Sequence, residues 1–159
     1  MTRILTGYVA LVKVRFSECD PLGHVNNAVY LNYLEQAAID HASALGWSSK
    51  ELTAEAGAVF VARKHEITYR QPAYEGDTLL VCTWPTEMRG ARGMRSYTIS
   101  RFTGDVSGWV DRVVPFEDMP EIATGDLLVT ANTEWAFMNV TSGRPARIPE
   151  IVAKDFVEG

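Results

Sequence analysis

The sequence predicts a single α+β domain, residues 1–159, in which an antiparallel sheet packs against one long helix. Three observations support this fold class. One strand-like segment precedes a long amphipathic helix, four segments rich in β-branched and aromatic residues follow it, and no linker or internal repeat interrupts the chain. A composition of 47% hydrophobic and 22% charged residues is typical of a globular domain that buries a core.

The first strand is predicted over residues 8–16, "YVALVKVRF". Apolar and basic side chains alternate there, with Val12 and Val14 on one side and Lys13 on the other. The turn-forming sequence "DPLG" at 20–23 then ends the strand.

The long helix is predicted after this turn, because apolar residues recur at steps of three and four. The expected apolar stripe comprises Leu31, Leu34, Ala38, Ala42 and Leu45, and the expected polar side comprises Asn32, Tyr33, Gln36, Asp40 and Ser43. Gly46 is expected to end the helix. Residues 48–57 predict a short second helix capped by Ser48 or Ser49.

The rest of the chain is predicted to be mostly strands. The strand segments are 58–70, 77–88, 94–102 and 127–140. Turn signals indicate hairpins at 74–77 and 89–93, and residues 104–125 indicate an inserted arm or a strongly bent pair of strands, since they are too many for a tight turn. One helix cannot cover both faces of such a sheet, so an exposed apolar face or a partner subunit is expected.

Charge and composition exclude several classes of protein. The net charge of −5 argues against general nucleic-acid binding. Lys13 and Arg15 interrupt the apolar start, and no small-residue cleavage site follows, so a signal peptide is not expected. No run approaches the roughly 18 apolar residues of a membrane span. We therefore expect a cytoplasmic protein with Cys19 and Cys82 reduced, and neither metal nor cofactor, since no ligand spacing for either is present.

The stretch "SECDPLGHVNNAVYLNYLEQA" (17–37) carries more polar groups than helix capping needs. Asp20, His24, Asn26 and Asn27 fall within eight positions at the start of the predicted helix. Capping accounts for one asparagine, and a functional site at the helix start would account for the rest.

These residues carry a resemblance to a known family. "DPLGHVNNAVYLNYLEQA" (20–37) resembles the motif of hotdog-fold acyl-CoA thioesterases of the 4-hydroxybenzoyl-CoA thioesterase family, and "ITYRQPAYEGDTLLV" (67–81) and "TEWAFMNVTSGRPARIP" (133–149) are similar to later parts of that family. The resemblance implies one hotdog domain, whose sheet wraps around the helix. It also implies a homodimer or homotetramer with sites at subunit interfaces. Residues 104–125 depart from the family pattern.

The resemblance also implies catalytic roles. Asp20 would be the nucleophile or the general base, and the backbone N–H of Asn27 would polarise the thioester carbonyl, with Gly23 allowing close approach. From the residues alone, Asp20 could simply start an Asx-turn, and Asn26 and Asn27 could be N-caps rather than substrate contacts. His24 could contact the carbonyl, orient Asp20 or only hold the loop.

Other candidates are weaker. Cys19 as a nucleophile is disfavoured, because strand geometry points it away from Asp20. Glu35 is a reserve acid or a carboxylate in a subunit contact. His41 and His65 are expected to be structural.

The hairpin arginines Arg89, Arg92 and Arg95 suit either the phosphates of coenzyme A or a solvated turn. The aromatic residues Tyr30, Tyr33, Trp47 and Phe60 could line an acyl pocket or belong to the core.

The hypothesis from the sequence is therefore hydrolysis of an acyl-CoA to a free acid and CoA, with coenzyme A present only as part of the substrate. The alternatives are an acyl-carrier-protein thioesterase and a non-catalytic acyl-binding hotdog protein. A hotdog dehydratase is weaker, since "DPLGHVNN" does not match its usual pattern.

Overall fold

A computed structural model describes residues 6–104 and 111–157. The strands are β1 (Thr6–Lys13), β2 (Ala58–Tyr69), β3 (Thr78–Arg89), β4 (Arg92–Phe102), β5 (Arg112–Pro115) and β6 (Leu127–Asn139), and the helices are α1 (Asn27–Ala44), α2 (Ser49–Ala56), α3 (Met119–Ile122) and α4 (Glu150–Val157). The strands form one sheet in the order β2-β6-β4-β3-β1-β5, with antiparallel neighbours. The predicted α+β arrangement is confirmed.

Helix α1 packs on one face of this sheet. Its buried residues are Tyr30, Tyr33, Leu34, Ala37, Ala38 and His41. Leu34 and Ala38 of the predicted stripe are among them, but Leu31 and Ala42 are only half-buried. Tyr33, which was expected on the polar side, is buried. The buried set is also spaced by three and four residues, so periodicity alone could not choose between two adjacent faces of the helix.

The ends of the helices follow the predicted signals. Helix α1 ends at Ala44 and is followed by Gly46 with a φ of 87°. Ser48 caps α2 by accepting a hydrogen bond from the backbone N–H of Glu51, at 3.3 Å. Both short-range predictions are confirmed.

One of the two predicted hairpins is wrong. The β3–β4 hairpin forms at Gly90 and Ala91, as expected. Residues 74–77 do form a turn, in which the backbone N–H of Tyr74 donates to Asp77 at 2.9 Å. However, the strands on either side are not neighbours, since β2 pairs with β6 and β3 pairs with β4 and β1. Turn chemistry fixes the reversal of the chain but not the strand that each segment joins.

The inserted arm covers the outer face of the sheet. Within 104–125, β5 pairs with β1, and the short helix α3 follows; positions 105–110 lie outside the described residues. Met119 and Val114 from the arm form a buried cluster with Val9, Leu80 and Cys82 of β1 and β3. Part of the face that one helix would leave exposed is therefore covered by the chain itself.

Helix α4 was not predicted. Its Val152 and Phe156 pack with Leu52 and Phe137 in a second cluster near the C-terminal end of α1. The signal was present in the sequence, since the two apolar residues are four apart and follow a proline, Pro149.

Candidate active site

The loop before α1 holds Asp20 in a defined orientation. Its backbone N–H donates to the carbonyl of His24 at 2.8 Å, and its Oδ1 accepts from the backbone N–H groups of Leu22 at 2.9 Å and His24 at 3.1 Å. Gly23 supplies the left-handed turn, with a φ of 79°. No hydrogen bond to Oδ2 comes from the described residues. One carboxylate oxygen thus builds the loop and the other is available for chemistry.

The two asparagines at the start of α1 differ in role. The side chain of Asn26 caps the helix by accepting from the backbone N–H of Ala28 at 3.0 Å. Asn27 is the first helical residue and is exposed, and its carbonyl accepts from the Tyr69 hydroxyl at 3.0 Å. Among residues 6–104 and 111–157, nothing accepts a hydrogen bond from its backbone N–H. Capping therefore explains Asn26 and leaves the Asn27 N–H free at the positive end of the helix dipole.

His24 is held by a neighbouring segment of the chain. Its ring meets that of Tyr74 edge-on, with centroids 5.0 Å apart, and the two residues also form an isolated β-bridge. The ring makes no hydrogen bond within the described chain. His24 therefore helps to fix the loop through its backbone and its ring contact.

Glu18 is a residue that the sequence analysis missed. Its Oε1 accepts from the Tyr33 hydroxyl at 3.0 Å and from the backbone N–H of Arg15 at 2.8 Å, and its carbonyl accepts from the backbone N–H of Asn26 at 2.9 Å. Burial alone would raise the pKa of Glu18, but the bonds from Arg15 and Tyr33 hold that pKa below its ordinary value. A charged Glu18 thus joins the loop to α1, and its position two residues before Asp20 was the available signal.

The thiol of Cys19 is disfavoured as a nucleophile, as the sequence analysis expected. Its Sγ lies 3.7 Å from the carbonyl of Arg15. Burial, followed by the carboxylates of Glu75, Asp20 and Glu18, raises the pKa of the thiol. A thiol without thiolate character is a poor nucleophile.

Glu35 is engaged elsewhere. It lies eight residues after Asn27, which is about 12 Å along the helix axis at 1.5 Å per residue. Its Oε1 is 3.2 Å from Nε2 of His65, whose Nδ1 is 2.8 Å from Oγ1 of Thr133. This arrangement supports the structural role expected for His65 and gives Glu35 a partner within its own chain.

The three arginines of the β3–β4 hairpin do not form one cluster, so that part of the sequence hypothesis needs correction. Arg92 is half-exposed and pairs with Glu134 at 2.7 Å, whereas Arg95 is 5% exposed and faces α1. Residues three apart on a strand point to opposite faces. The pattern "RSYTIS" already carried this signal, since Arg95 alternates in phase with the buried Tyr97. Arg89 is exposed at the end of the hairpin.

The four candidate pocket aromatics fall into two groups. Tyr30 and Tyr33 belong to the core beneath α1. Trp47 and Phe60 line a cavity beside the C-terminal half of α1.

Neither a metal cluster nor a membrane helix is found in the described part of the chain. No group of three or more His, Cys, Asp or Glu side chains could hold a metal ion there. None of the described helices has the length and apolar character needed to cross a membrane. Cys19 and Cys82 are both free, with Cys82 buried.

Comparison with known proteins points to one superfamily. A model of the thioesterase-like superfamily matches residues 14–156. The long-chain acyl-CoA thioesterase FadM of Escherichia coli (strain K12) is 32% identical over 92 residues, which span 56% of this chain and 66% of FadM, just under two thirds of its length. The putative acyl-CoA thioesterase YneP of Bacillus subtilis (strain 168) is 27% identical over 96 residues, which span 60% of this chain and 69% of YneP.

Solved structures are similar over almost the whole chain. The hypothetical protein TT1821 from Thermus thermophilus has a TM-score of 0.72 at 26% identity, covering 94% of this chain and 95% of its own. A 1,4-dihydroxy-2-naphthoyl-CoA thioesterase from Synechocystis has a TM-score of 0.73 at 18% identity, with the same coverage. A mutant 4-hydroxybenzoyl-CoA thioesterase complexed with 4-hydroxybenzoyl-CoA has a TM-score of 0.73 at 19% identity, covering 94% and 97%.

The similarity to these structures, together with the antiparallel sheet packed on α1, confirms the predicted hotdog fold. The match of the superfamily model covers most of the sequence, including the loop, α1 and five of the six strands. The chain belongs to the thioesterase-like superfamily.

Proposed function

We propose that this protein hydrolyses an acyl-CoA thioester to a free acid and CoA. Two groups on the loop-to-helix junction carry the proposal: Oδ2 of the oriented Asp20 carboxylate and the backbone N–H of Asn27. Neither forms a hydrogen bond with a described residue. Thioester cleavage needs a carboxylate of this kind and a donor for the carbonyl oxygen. The acyl-CoA thioesterase activity in the names of FadM and YneP supports the same chemistry.

In the proposed mechanism, the thioester carbonyl oxygen accepts a hydrogen bond from the Asn27 N–H. This donor and the helix dipole stabilise the negative charge that develops on the oxygen. Asp20 then acts in one of two ways. It takes a proton from the attacking water, or it attacks the carbonyl carbon itself, and water then hydrolyses the acyl-aspartyl anhydride. In the first route the proton on Asp20 passes to the CoA sulfur as the C–S bond breaks. In the second route CoA leaves as a thiolate, which takes a proton from water.

The surrounding loop residues have supporting roles in this proposal. Gly23 lets the substrate approach the backbone, and the amide group of Asn26, whose oxygen caps α1, can contact the acyl-CoA. His24, fixed against Tyr74, is within the same loop and can donate to the substrate or help to orient the Asp20 carboxylate.

The position of the β3–β4 hairpin favours a site shared between two chains. In the sheet, Arg92 of β4 lies opposite Ala136 of β6, which lies opposite Val61 of β2. The Asn27 carbonyl instead contacts Tyr69, at the other end of β2. Eight strand residues separate Val61 from Tyr69, about 26 Å at 3.3 Å per residue. The hairpin of one chain is therefore far from the Asn27 of the same chain.

Pairing of two chains along the edge strand β2 would bring the hairpin of one chain near Asn27 of the other. Strand β2 has twelve residues and no neighbour on its outer side within the described sheet. We propose that a second copy pairs antiparallel along β2, giving a homodimer, or a tetramer of two such dimers. That pairing would place the partner's hairpin towards the Asn27 end of this chain, where its Arg89 and Arg92 would bind CoA phosphates.

Replacing Asp20 by Asn tests the proposed chemistry. The amide keeps the loop hydrogen bonds that Oδ1 accepts, so the variant should fold, as circular dichroism would show. It can neither attack a carbonyl nor accept a proton from water, so kcat should fall by at least about 10² with KM little changed. Cys19→Ser, beside it, should remain active.

Near-normal turnover by Asp20→Asn would refute the catalytic assignment. If the wild-type protein hydrolysed acyl-carrier-protein thioesters but no acyl-CoA, the carrier-protein alternative would replace the present proposal. If it hydrolysed no thioester, the protein would be an acyl-binding member of the superfamily.

A further inference from the structure

A cavity opens beside the C-terminal half of α1, remote from Asp20. Its apolar walls include Ala42, Trp47, Leu52, Phe60, Met88 and Phe156, and with its open mouth it encloses about 600 Å³. Gly93 helps to keep the space open, because a Cβ there would lie 3.2 Å from Sδ of Met88 and 3.6 Å from Cε1 of Phe60. A largely apolar cavity with a charged residue in its wall is suited to a small organic ligand.

Arg95 provides a positive charge in the wall of this cavity. The side chain is 5% exposed. Its Nη1 lies 3.0 Å from Nδ1 of His41 and 3.2 Å from Oγ1 of Thr83, and its guanidinium carbon is 5.8 Å from the centre of the Phe156 ring. Neither Nε nor Nη2 donates a hydrogen bond to any described residue, and no described carboxylate pairs with Arg95. Part of the guanidinium fork is therefore unused.

The residues around Arg95 do not neutralise its charge. Burial, and secondarily Arg95, lowers the pKa of His41 to about 3, so the imidazole is neutral and accepts at Nδ1. The second ring nitrogen of His41, Nε2, lies 3.4 Å from Oγ1 of Thr6. Burial raises the pKa of Tyr97 even though Arg95 lowers it, so the phenol is neutral as well. A buried cation without a counter-charge is costly, and a bound anion would offset that cost.

We propose that this cavity binds a carboxylate at the end of an apolar chain. The carboxylate would accept from Nε and Nη2 of Arg95, and the chain would lie against Phe60, Met88 and Trp47. Such a group has two sources: a free aliphatic acid, or the far end of an acyl group held as a thioester. Only the second source rests on the proposed thioesterase function.

Tryptophan fluorescence tests binding directly, because Trp47 and Trp135 both line the cavity. Purified protein is titrated with dodecanoate and, separately, with the uncharged dodecanol. We expect dodecanoate to bind about tenfold more tightly or better, the scale of a charge-assisted hydrogen bond in a buried site. Equal affinity for the two ligands, or no binding of either, would overturn the proposal.

Two matched variants assign the effect to Arg95. Arg95→Met should remove the preference for dodecanoate, whereas Arg144→Met, the same change at an exposed position outside the cavity, should retain it. If Arg95→Met does not fold, Ala42→Phe serves instead, because it fills the cavity and leaves the guanidinium in place. It should weaken the binding of both ligands, and unchanged binding would overturn the assignment to this cavity.

Hydrolysis rates distinguish the two sources of the carboxylate. The ratio of kcat/KM for hexadecanedioyl-CoA to that for palmitoyl-CoA is measured in the wild type and in Arg95→Met. A ratio that falls in the variant assigns the carboxylate to the acyl group, and an unchanged ratio assigns it to the free acid. If neither thioester is hydrolysed while dodecanoate still binds, the proposed activity fails and the binding site stands.

Discussion

The polar groups near the two ends of α1 differ in how they are bonded and buried. At the N-terminal end, backbone hydrogen bonds hold Asp20 and Asn27, and each has one group that bonds to no residue in the described part of the chain. At the C-terminal half, Arg95 and His41 are buried together, and Arg95 lines the apolar cavity.

This difference indicates two kinds of site. A half-buried carboxylate beside an exposed helix start can meet a reacting carbonyl and water, so this end suits chemistry. A buried cation in the wall of an apolar cavity suits recognition of a complementary charge. The two sites lie along α1, because Asn27 begins the helix and Ala38 lines the cavity about 16 Å further along its axis at 1.5 Å per residue.

The largest effect is expected at the N-terminal end, from Asn27→Pro. Proline is well tolerated at the first position of a helix, and Asn26 already has the extended conformation, φ −61° and ψ 135°, that precedes proline. Besides the side chain, the substitution deletes the N–H that we propose to polarise the carbonyl. We expect kcat to fall about 10²- to 10³-fold with the helix intact, measured by steady-state hydrolysis of acyl-CoA and by circular dichroism.

Asn27→Ala is the matched control, because it removes the side chain and keeps the N–H. It should retain most of the wild-type kcat. If the alanine variant lost as much activity as the proline variant, the side chain of Asn27 rather than its backbone would be the contact.

The second effect concerns the C-terminal half, where His41 stabilises the fold only while it is neutral. Its pKa is about 3 in the folded protein, because burial and Arg95 disfavour the charged ring, and about 6.5 when unfolded. As the pH falls through about 6.5, the unfolded chain takes up a proton that the folded chain does not. The free energy of unfolding should therefore decrease from about pH 6.5 towards pH 3, by at most about 1.4 kcal/mol per unit.

His41→Gln isolates this contribution, since its amide oxygen can still accept from Arg95 but does not titrate in this range. Urea denaturation at pH 7, 6, 5 and 4, followed by tryptophan fluorescence, should give a shallower pH dependence for the variant. Parallel curves for the two proteins would show that His41 does not cause the loss of stability.

The sequence predicted the N-terminal end of α1 better than the C-terminal half for a physical reason. The loop, the Asn26 cap and the free Asn27 N–H depend on contacts within a few residues, so a local motif specifies them. Arg95 and His41 are 54 positions apart, and their contact depends on which strands pair and which face of α1 is buried. The same dependence explains the wrong hairpin at 74–77.

The smallest effect is expected from the exposed arginines Arg89 and Arg92, which we propose to bind CoA phosphates at the active site of a second chain. Replacing both by Ala should raise KM for acyl-CoA about two- to tenfold, since exposed charge-assisted contacts contribute about 0.5–1.5 kcal/mol. Hydrolysis of the corresponding acyl-pantetheine, which lacks the nucleotide phosphates, should not change. Equal losses on both substrates would show that these arginines do not bind CoA phosphates.

Hybrid dimers then show which chain supplies the hairpin. A chain carrying Asp20→Asn has an intact hairpin but no carboxylate, and a chain carrying Arg89→Ala and Arg92→Ala has the reverse. When the two are unfolded together and refolded, a hybrid has one active site whose Asp20 belongs to the arginine-deficient chain. If the hairpin acts across the interface, that site meets the intact hairpin of the other chain and regains the wild-type KM. If the hairpin acts within its own chain, every active site lacks its arginines and the high KM remains.

Light scattering on the same samples would measure the mass of the assembly, and a fully active monomer would exclude the shared site.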